Sequence, residues 1–324
     1  MKRFLKNNEG FALILTILII SLIVTLTLQF NSSMRSHLHA AVNLRDSIKL
    51  GCIAKSGFHC ALAILVEDDL EKDFESIHEP WMVAKALSSH SNSIFEEGRF
   101  AIEIIDHSGR IQINRLVDEN GNYNNKQKDL LTRFLNSSKF GLEPQDVAII
   151  VDSIKDWIDR DDDTDFGAEN AYYQTLEKPY SCKNAPLDSL EELLLIRGIT
   201  KELFYGREEQ PGIRYYLSVY GDGKININTA DPLILEILSD QMDEEMVQNM
   251  VAYRMEEGVD LKNPQWYKQV PGMIHVSIDP HLITTVSTHF EVISEGYKGA
   301  MRKGVRGMVE RSGGVCRILT WHVL

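Results

Sequence analysis

The sequence predicts an α+β protein with a long N-terminal transmembrane helix, an antiparallel sheet domain and large helical insertions. Three observations carry this. Residues Phe11–Phe30 contain no ionisable side chain. Apolar residues then keep a three- and four-residue spacing to about Asp68, so the helix continues beyond the apolar run. Alternating apolar and polar residues mark Arg99–Asp106 and the C-terminal stretch from Phe290, on either side of two helix-patterned regions.

The N-terminus comes first. Lys2, Arg3 and Lys6 precede a Gly10-Phe11 junction at the edge of the apolar run. At about 1.5 Å per helical residue, residues 11–30 can cross a hydrocarbon core of about 30 Å. The basic leader holds the N-terminus in the cytoplasm and directs the rest of the chain outward, as a single-pass protein. A secretory signal would have a shorter apolar region with a small-x-small site close behind it. Here Ala40-Ala41 lies far downstream. Thr16, Ser21, Thr25, Thr27 and Gln29 interrupt the run. Small hydroxyl residues either let neighbouring helices approach or bond their own backbone.

Residues 31–68 read as an external extension of the helix, with Leu38, Ala41, Val42, Ile48, Ile53, Phe58, Leu62 and Leu65 on its apolar positions. Residues 69–120 read as an α/β part. Within it, Arg99–Asp106, the turn His107-Ser108-Gly109 and Arg110–Asn114 give a hairpin signal. Residues 121–212 form a first helical insert with an acidic loop. Residues 213–229 read as strands, Ile213–Tyr220 and Lys224–Asn228 around the turn Gly221-Asp222-Gly223. Residues 230–288 form a second helical insert, and 289–324 the C-terminal strands.

The chain has 324 residues with 34 Lys+Arg against 47 Asp+Glu, a net charge of −13. That balance argues against nucleic acid as a partner, because phosphate binding needs clustered cations. Lys224–Ala230 followed by paired helices resembles a helix-hairpin-helix unit. Its hairpin, Leu238–Glu245, is acidic and lacks glycine, and no basic cluster surrounds the alternative Val270-Pro271-Gly272-Met273, so packing against protein is expected. Cys52 and Cys60, eight residues apart on one helix, are about 12 Å apart and too distant to bridge. Cys182 and Cys316 read equally well as a disulfide or as buried thiols. The histidines are scattered, and no nucleophile–base arrangement, P-loop or cofactor motif stands out.

The chemistry concentrates at residues 156–170. Asp156, Asp159, Asp161, Asp162, Asp163, Asp165 and Glu169 crowd into this loop with one arginine. Such carboxylates repel unless a cation or solvent intervenes. Calcium takes about six to eight oxygen ligands, often from flexible loops. Asp159, Asp161, Asp163 and Asp165 alternate like the start of an EF-hand, but Thr164 stands where its glycine belongs and Asn170 where its glutamate belongs. The loop is therefore not an EF-hand. A solvated acidic loop and a Mg²⁺ site with hydrolytic chemistry are the rival readings. The apolar helix entering the loop (Val147–Val151, Ile154, Trp157, Ile158) favours a folded metal site. Tyr180–Leu190 can fold back to add carbonyls, Asn184 or Asp188.

These motifs carry a family resemblance. The Gly10-Phe11 junction resembles a type IV prepilin leader, which a membrane peptidase cuts after the glycine before methylating the new N-terminus. Asp106–Leu116, Asp156-Trp157-Ile158-Asp159, Gly167–Asn170 with Tyr172-Tyr173, Lys183–Leu193 with Arg197–Thr200, and Lys224–Ala230 resemble, in order and spacing, the minor pseudopilin family called type II secretion system protein K. The resemblance implies a pilin-like domain with large helical insertions, calcium bound in the acidic insert, and a place with other minor pseudopilins at the pseudopilus tip. The expected metal residues are Asp159, Asp161, Asp163, Asp165, Glu169 and Asn170, the last standing where the family has Asp. The implied processing site is Gly10/Phe11. The implied partners are the other tip pseudopilins, the prepilin peptidase and the inner-membrane secretion platform. The implied location is the inner membrane, with the C-terminal domain periplasmic, and no enzymatic activity is expected. Rival readings are a minor pilin of a DNA-uptake or adhesion filament and a membrane-anchored metal-dependent hydrolase. Most pilins carry Glu at the fifth mature residue, where this chain has Leu15. A carboxylate without a partner is costly in hydrocarbon, so its absence suits a subunit with no neighbour above it.

Overall fold

A computed structural model describes residues 9–71, 74–208 and 210–324. The positively charged leader residues Lys2, Arg3 and Lys6 lie outside the described residues. Helix α1 (Glu9–Glu71) runs 63 residues, about 95 Å. Its first half is exposed and apolar, with a mean hydropathy of 2.8 over its most apolar stretch, long enough to cross a membrane. The hydroxyls of Thr16, Thr25 and Thr27 donate to carbonyls of their own helix at 2.8 Å, as helix-embedded threonines do.

The outer half of α1 is amphipathic. Leu50, Ile53, Ala54, Phe58, Ala61 and Leu65 are buried on one stripe. Complete burial stabilises by about 1.5–3 kcal/mol for each large side chain among them. They pack on a four-stranded antiparallel sheet: β1 (Arg99–Asp106), β2 (His289–Lys298), β3 (Met301–Ser312) and β4 (Val315–Val323), in that spatial order. Gly57 permits the close approach, since a Cβ there would lie 2.8 Å from the Phe100 ring. A short helix α2 (Ala84–Ser88) covers the free edge of β1, where Ser88 and Ser91 hydroxyls bond the backbone of Ile102 and Phe100. The sheet is thus assembled from opposite ends of the chain, Arg99↔Tyr297 through Asp106↔Phe290.

The two inserts build a second core. The first holds α3 (Asn125–Leu135), α4 (Pro144–Ile158), α5 (Asn170–Tyr173) and α6 (Lys201–Tyr205); the second holds α7 (Pro232–Ile237) and α8 (Glu244–Met255). Leu130, Phe134, Val147, Ile150, Ile154, Phe204, Leu235 and Trp266 are buried in this one cluster. Arg254, buried at the end of α8, donates to the carbonyls of Ile227 and Ala230 at 3.1 and 2.8 Å. Arg254 therefore faces inward, away from any phosphate.

A polar network joins the two cores. The buried Arg311 guanidinium on β3 donates to Leu65 O (3.1 Å), Asp68 (3.2 Å), Ser287 O (3.2 Å) and Glu75, and stacks 4.6 Å from the Phe290 ring centre. Glu75 accepts from Trp81 Nε1 (3.1 Å), and its carbonyl accepts from Asn228 Nδ2 (2.8 Å). Asn228 Oδ1 in turn accepts from Trp266 Nε1 at 2.6 Å, deep in the helical core.

Two expectations are corrected. Arg99–Asp106 does not pair with Arg110–Asn114. The turn is pinned because Asp106 accepts from Ser108 N (2.7 Å) and from the hydroxyls of Thr229 (2.5 Å) and Ser287 (2.6 Å). Ile111–Gln112 is thereby turned away to pair, in parallel, with Leu217–Ser218. Likewise Ile213–Tyr220 is not one strand: Ile213–Tyr215 forms a 3₁₀ turn, and only Leu217–Ser218 pairs. Ile225–Asn226 pairs in parallel with Ile283–Thr284. Across 213–229 the strands are these two-residue pieces. All four cysteines are free, so Cys182 and Cys316 do not bridge.

Candidate metal site in the acidic insert

Helix α4 delivers the site. Pro144 at its first turn and Val147, Ile150, Val151, Ile154, Trp157 and Ile158 at helical spacing bury one face in the insert core. The helix stops at Asp159, whose backbone turns extended at ψ 177° while its amide still donates to Lys155 O at 2.9 Å. The loop that follows returns to the helix at Gly167. A Cβ there would lie 2.7 Å from the Asp152 carbonyl carbon, so only glycine allows the approach. Arg197 clamps the return, donating to Gly167 O at 2.9 Å while stacking 4.9 Å from the Tyr172 ring centre. Glu169 then starts α5. Trp157, Tyr173 and Tyr180 pack beneath, with centroids 5.2–6.3 Å apart.

Asp159, Asp161 and Glu169 converge, each offering a carboxylate oxygen within 4.8 Å of the others. Oxygens about 2.4 Å from a common ion can lie no more than about 4.8 Å apart, so the spacing fits one calcium-sized cation. Asp159 and Glu169 are 1% and 3% exposed. Neither Glu169 oxygen accepts a hydrogen bond, nor does Asp159 Oδ1. Asn184, held in the left-handed region at φ 48°, donates to Asp161 O (2.8 Å), and its own Oδ1 is buried without a donor. Four buried acceptor oxygens from three residues therefore lack donors, a set suited to a hard cation.

The other expected residues lie apart from this trio. Asp163 and Asp165 line an adjoining open cleft of about 480 Å³ with Tyr123, Asp152, Asp156 and Asp161. Both are exposed, whereas Asp159 and Glu169 are buried. Asn170 is exposed, and its Oδ1 accepts from the Cys182 amide at 3.4 Å. Asp188 is drawn off by Lys183 at 2.7 Å. Sequence reasoning passed over Lys155, which pairs with Asp159, and Asp156, whose carboxylate accepts from Thr164 Oγ1 at 2.7 Å. The Lys155–Asp159 spacing of four along a helix was the available signal.

Comparison with known proteins places this geometry. Residues 109–206, which contain the whole site, match the family model described as type II secretion system (T2SS), protein K. Over these residues the chain is similar to the protein K family. It is 23% identical over 270 residues, 78% of each chain, to the type II secretion system protein K of Aeromonas hydrophila. Its fold matches a chain in the crystal structure of the GspK-GspI-GspJ complex from enterotoxigenic Escherichia coli, with a TM-score of 0.68 and 16% identity, over 87% of this chain and 98% of that one. This protein K relative is accordingly a minor pseudopilin of the type II secretion system, with a long apolar N-terminal helix that fits a single-pass membrane anchor.

Burial and crowding raise the carboxyl pKa values of Asp156, Asp159 and Glu169. Glu169 is pushed up to about 7, by desolvation first and then by Asp156 and Asp159. Asp156 and Asp159 are also raised, with desolvation the leading cause. A carboxyl whose folded pKa exceeds its unfolded value of about 4.3 adds stability below that value and loses it as pH rises through the folded pKa. In chelator, the melting temperature should fall between about pH 4.5 and pH 7.5, and Glu169→Gln should flatten much of that fall. Parallel pH profiles for the two proteins would show that Glu169 is not the strained group.

Proposed function

We propose that this minor pseudopilin caps the pseudopilus tip together with other minor pseudopilins and supports export across the outer membrane, and that calcium holds its acidic insert folded. The observation that carries the calcium reading is the set of donorless oxygens on Asp159, Glu169 and Asn184 beside Asp161. Asp159, Asp161, Glu169 and Asn184 would hold the ion. Asp163, Asp165 and Asn170 come next to it in the loop and would contribute only through rearrangement or bridging water. The ion's part is structural: it offsets like charge that desolvation makes costly.

The anchor is read as single-pass in the inner membrane, with the N-terminus cytoplasmic and the folded domain periplasmic. Prepilin peptidase would cut after Gly10, and the helix from Phe11 would enter the secretion platform and then the filament. Phe11 and Leu15 are exposed on α1. Leu15 supports the tip position, because it leaves no carboxylate to be matched in the membrane.

A scaffold role, without enzymatic activity, is favoured over hydrolysis. Ser218, His107 and Glu291 do line up, with Ser218 Oγ 3.0 Å from His107 Nδ1 and Glu291 3.7 Å from His107 Nε2. All three are buried, and the Ser218 hydroxyl is committed to Tyr220 O at 3.1 Å. The row therefore reads as packing rather than as a substrate-facing nucleophile. Its neighbour Arg306 holds Glu291 from the other side.

Chelation of the purified protein should lower its melting temperature by several degrees, and calcium should restore it. Melting curves that coincide with and without chelator would defeat the calcium reading. Separately, N-terminal sequencing of the mature protein should begin at Phe11, and any other start would remove the prepilin assignment.

A further inference from the structure

Lys155 lies one turn before Asp159 on α4 and directs its ammonium into the acidic site. It pairs with Asp159 Oδ2, lies 3.8 Å from Asp156 Oδ1, and its side chain is 18% exposed. The Tyr123 ring closes over it, with its centre 5.7 Å from Nζ. Tyr123 is itself fixed by its hydroxyl on Asp152 and by Lys128, which stands 3.7 Å over the ring. Among the described residues, Lys155 is the only basic side chain paired with Asp156 or Asp159. The ammonium is therefore tethered, by a rigid helix and a capped aromatic ring, among carboxylates that desolvation makes hungry for positive charge.

Asp159 divides its two oxygens. Oδ2 meets Lys155, while Oδ1 has no donor. A cation bound through Oδ1, with Asp161 and Glu169, would share one carboxylate with a fixed positive charge. Two cations on one carboxylate repel at close range, and in a partly buried setting solvent screens that repulsion poorly. Without the cation, the same ammonium offsets part of the acidic charge.

We propose that Lys155 is a built-in counter-charge that sets the site's affinity: it weakens cation binding and keeps the insert folded before the cation arrives. This rests on the calcium reading above. The site then fills and empties with ambient calcium rather than trapping the ion permanently.

The test compares wild type, Lys155→Met and Lys155→Arg as full chains in detergent. Calcium chloride is titrated calorimetrically, and melting is followed in chelator. Met keeps much of the length and apolar stem while removing the charge, and Arg keeps the charge. Lys155→Met should bind calcium about tenfold more tightly or better, about 1.4 kcal/mol, and its chelated form should melt lower than wild type. Lys155→Arg should stay within about threefold of wild type. Equal or weaker affinity in a folded Lys155→Met protein overturns the proposal and leaves the calcium reading standing. Failure of Lys155→Met to fold in saturating calcium also overturns it, since the lysine would then be needed for the fold itself. Absence of calcium binding in all three proteins overturns both.

Discussion

Burying a carboxylate oxygen without a donor is costly, and the chain buries three together: both oxygens of Glu169 and Oδ1 of Asp159, whose Oδ2 meets Lys155. Elsewhere the rule is kept. Every other buried carboxylate among the described residues meets a side-chain donor: Asp46 has Arg45 and Lys298, Asp68 and Glu75 have Arg311, Glu79 has Ser76, Asp152 has Tyr123, Asp156 has Thr164, and Glu291 has Arg306. The contrast gives the acidic insert its meaning. A fold that satisfies buried charge so consistently leaves a cluster of acceptors facing one another where a cation can replace the missing donors.

The same rule explains how the two cores are joined. Arg311 is inaccessible to solvent, yet it reaches the end of α1, the segment after it, and the strand entrance at Ser287. Glu75, beside it, is pushed up to about 8 by burial and by Asp68, with Arg311 acting in the opposite direction. One guanidinium thus serves a group of acids, and through Asn228 and Trp266 the network continues into the helical core. The membrane helix, the sheet and the inserts are thereby coupled by polar contacts that tolerate few substitutions, because removing one partner of a buried pair leaves the other without compensation. For a protein that must present a large domain at the end of a long helix, this joint fixes how the domain is carried.

Much of this was legible in the residues. The apolar run to Phe30 and the burial of Ile53, Phe58 and Leu65 follow from helical periodicity, although Leu38, Val42 and Ile48 on the same pattern are exposed, and the C-terminal strands follow from alternation punctuated by Gly299 and Gly313-Gly314. The acidic loop was visible because its charge density is abnormal. Strand pairing was not. Arg99–Asp106 has a local partner by pattern, and a hairpin is the ordinary result of such a pattern. The actual partner, Phe290–Tyr297, lies nearly two hundred positions away, and the decisive contacts of Asp106 with Thr229 and Ser287 belong to tertiary structure. The convergence of carboxylates was partly legible for a similar reason. Alternation picked out Asp159, Asp161, Asp163 and Asp165 together, but only Asp159 of the four is buried, and the convergence depends on Gly167 and Arg197 drawing Glu169 inward. Asn184 enters the site only because its segment folds back, with the Ala185 amide on Trp157 O at 3.3 Å.

The central claim is that a cation completes the acidic insert at the donorless oxygens. It is tested most directly by a crystal structure of the protein grown in calcium, with the ion identified by its anomalous scattering. The account predicts one ion bonded to Asp159 Oδ1, Asp161 and Glu169, with the Asn184 carbonyl oxygen in the same shell, at about 2.3–2.6 Å. Water alone at that position in saturating calcium, or an ion held only in the outer cleft between Asp163 and Asp165, would contradict it.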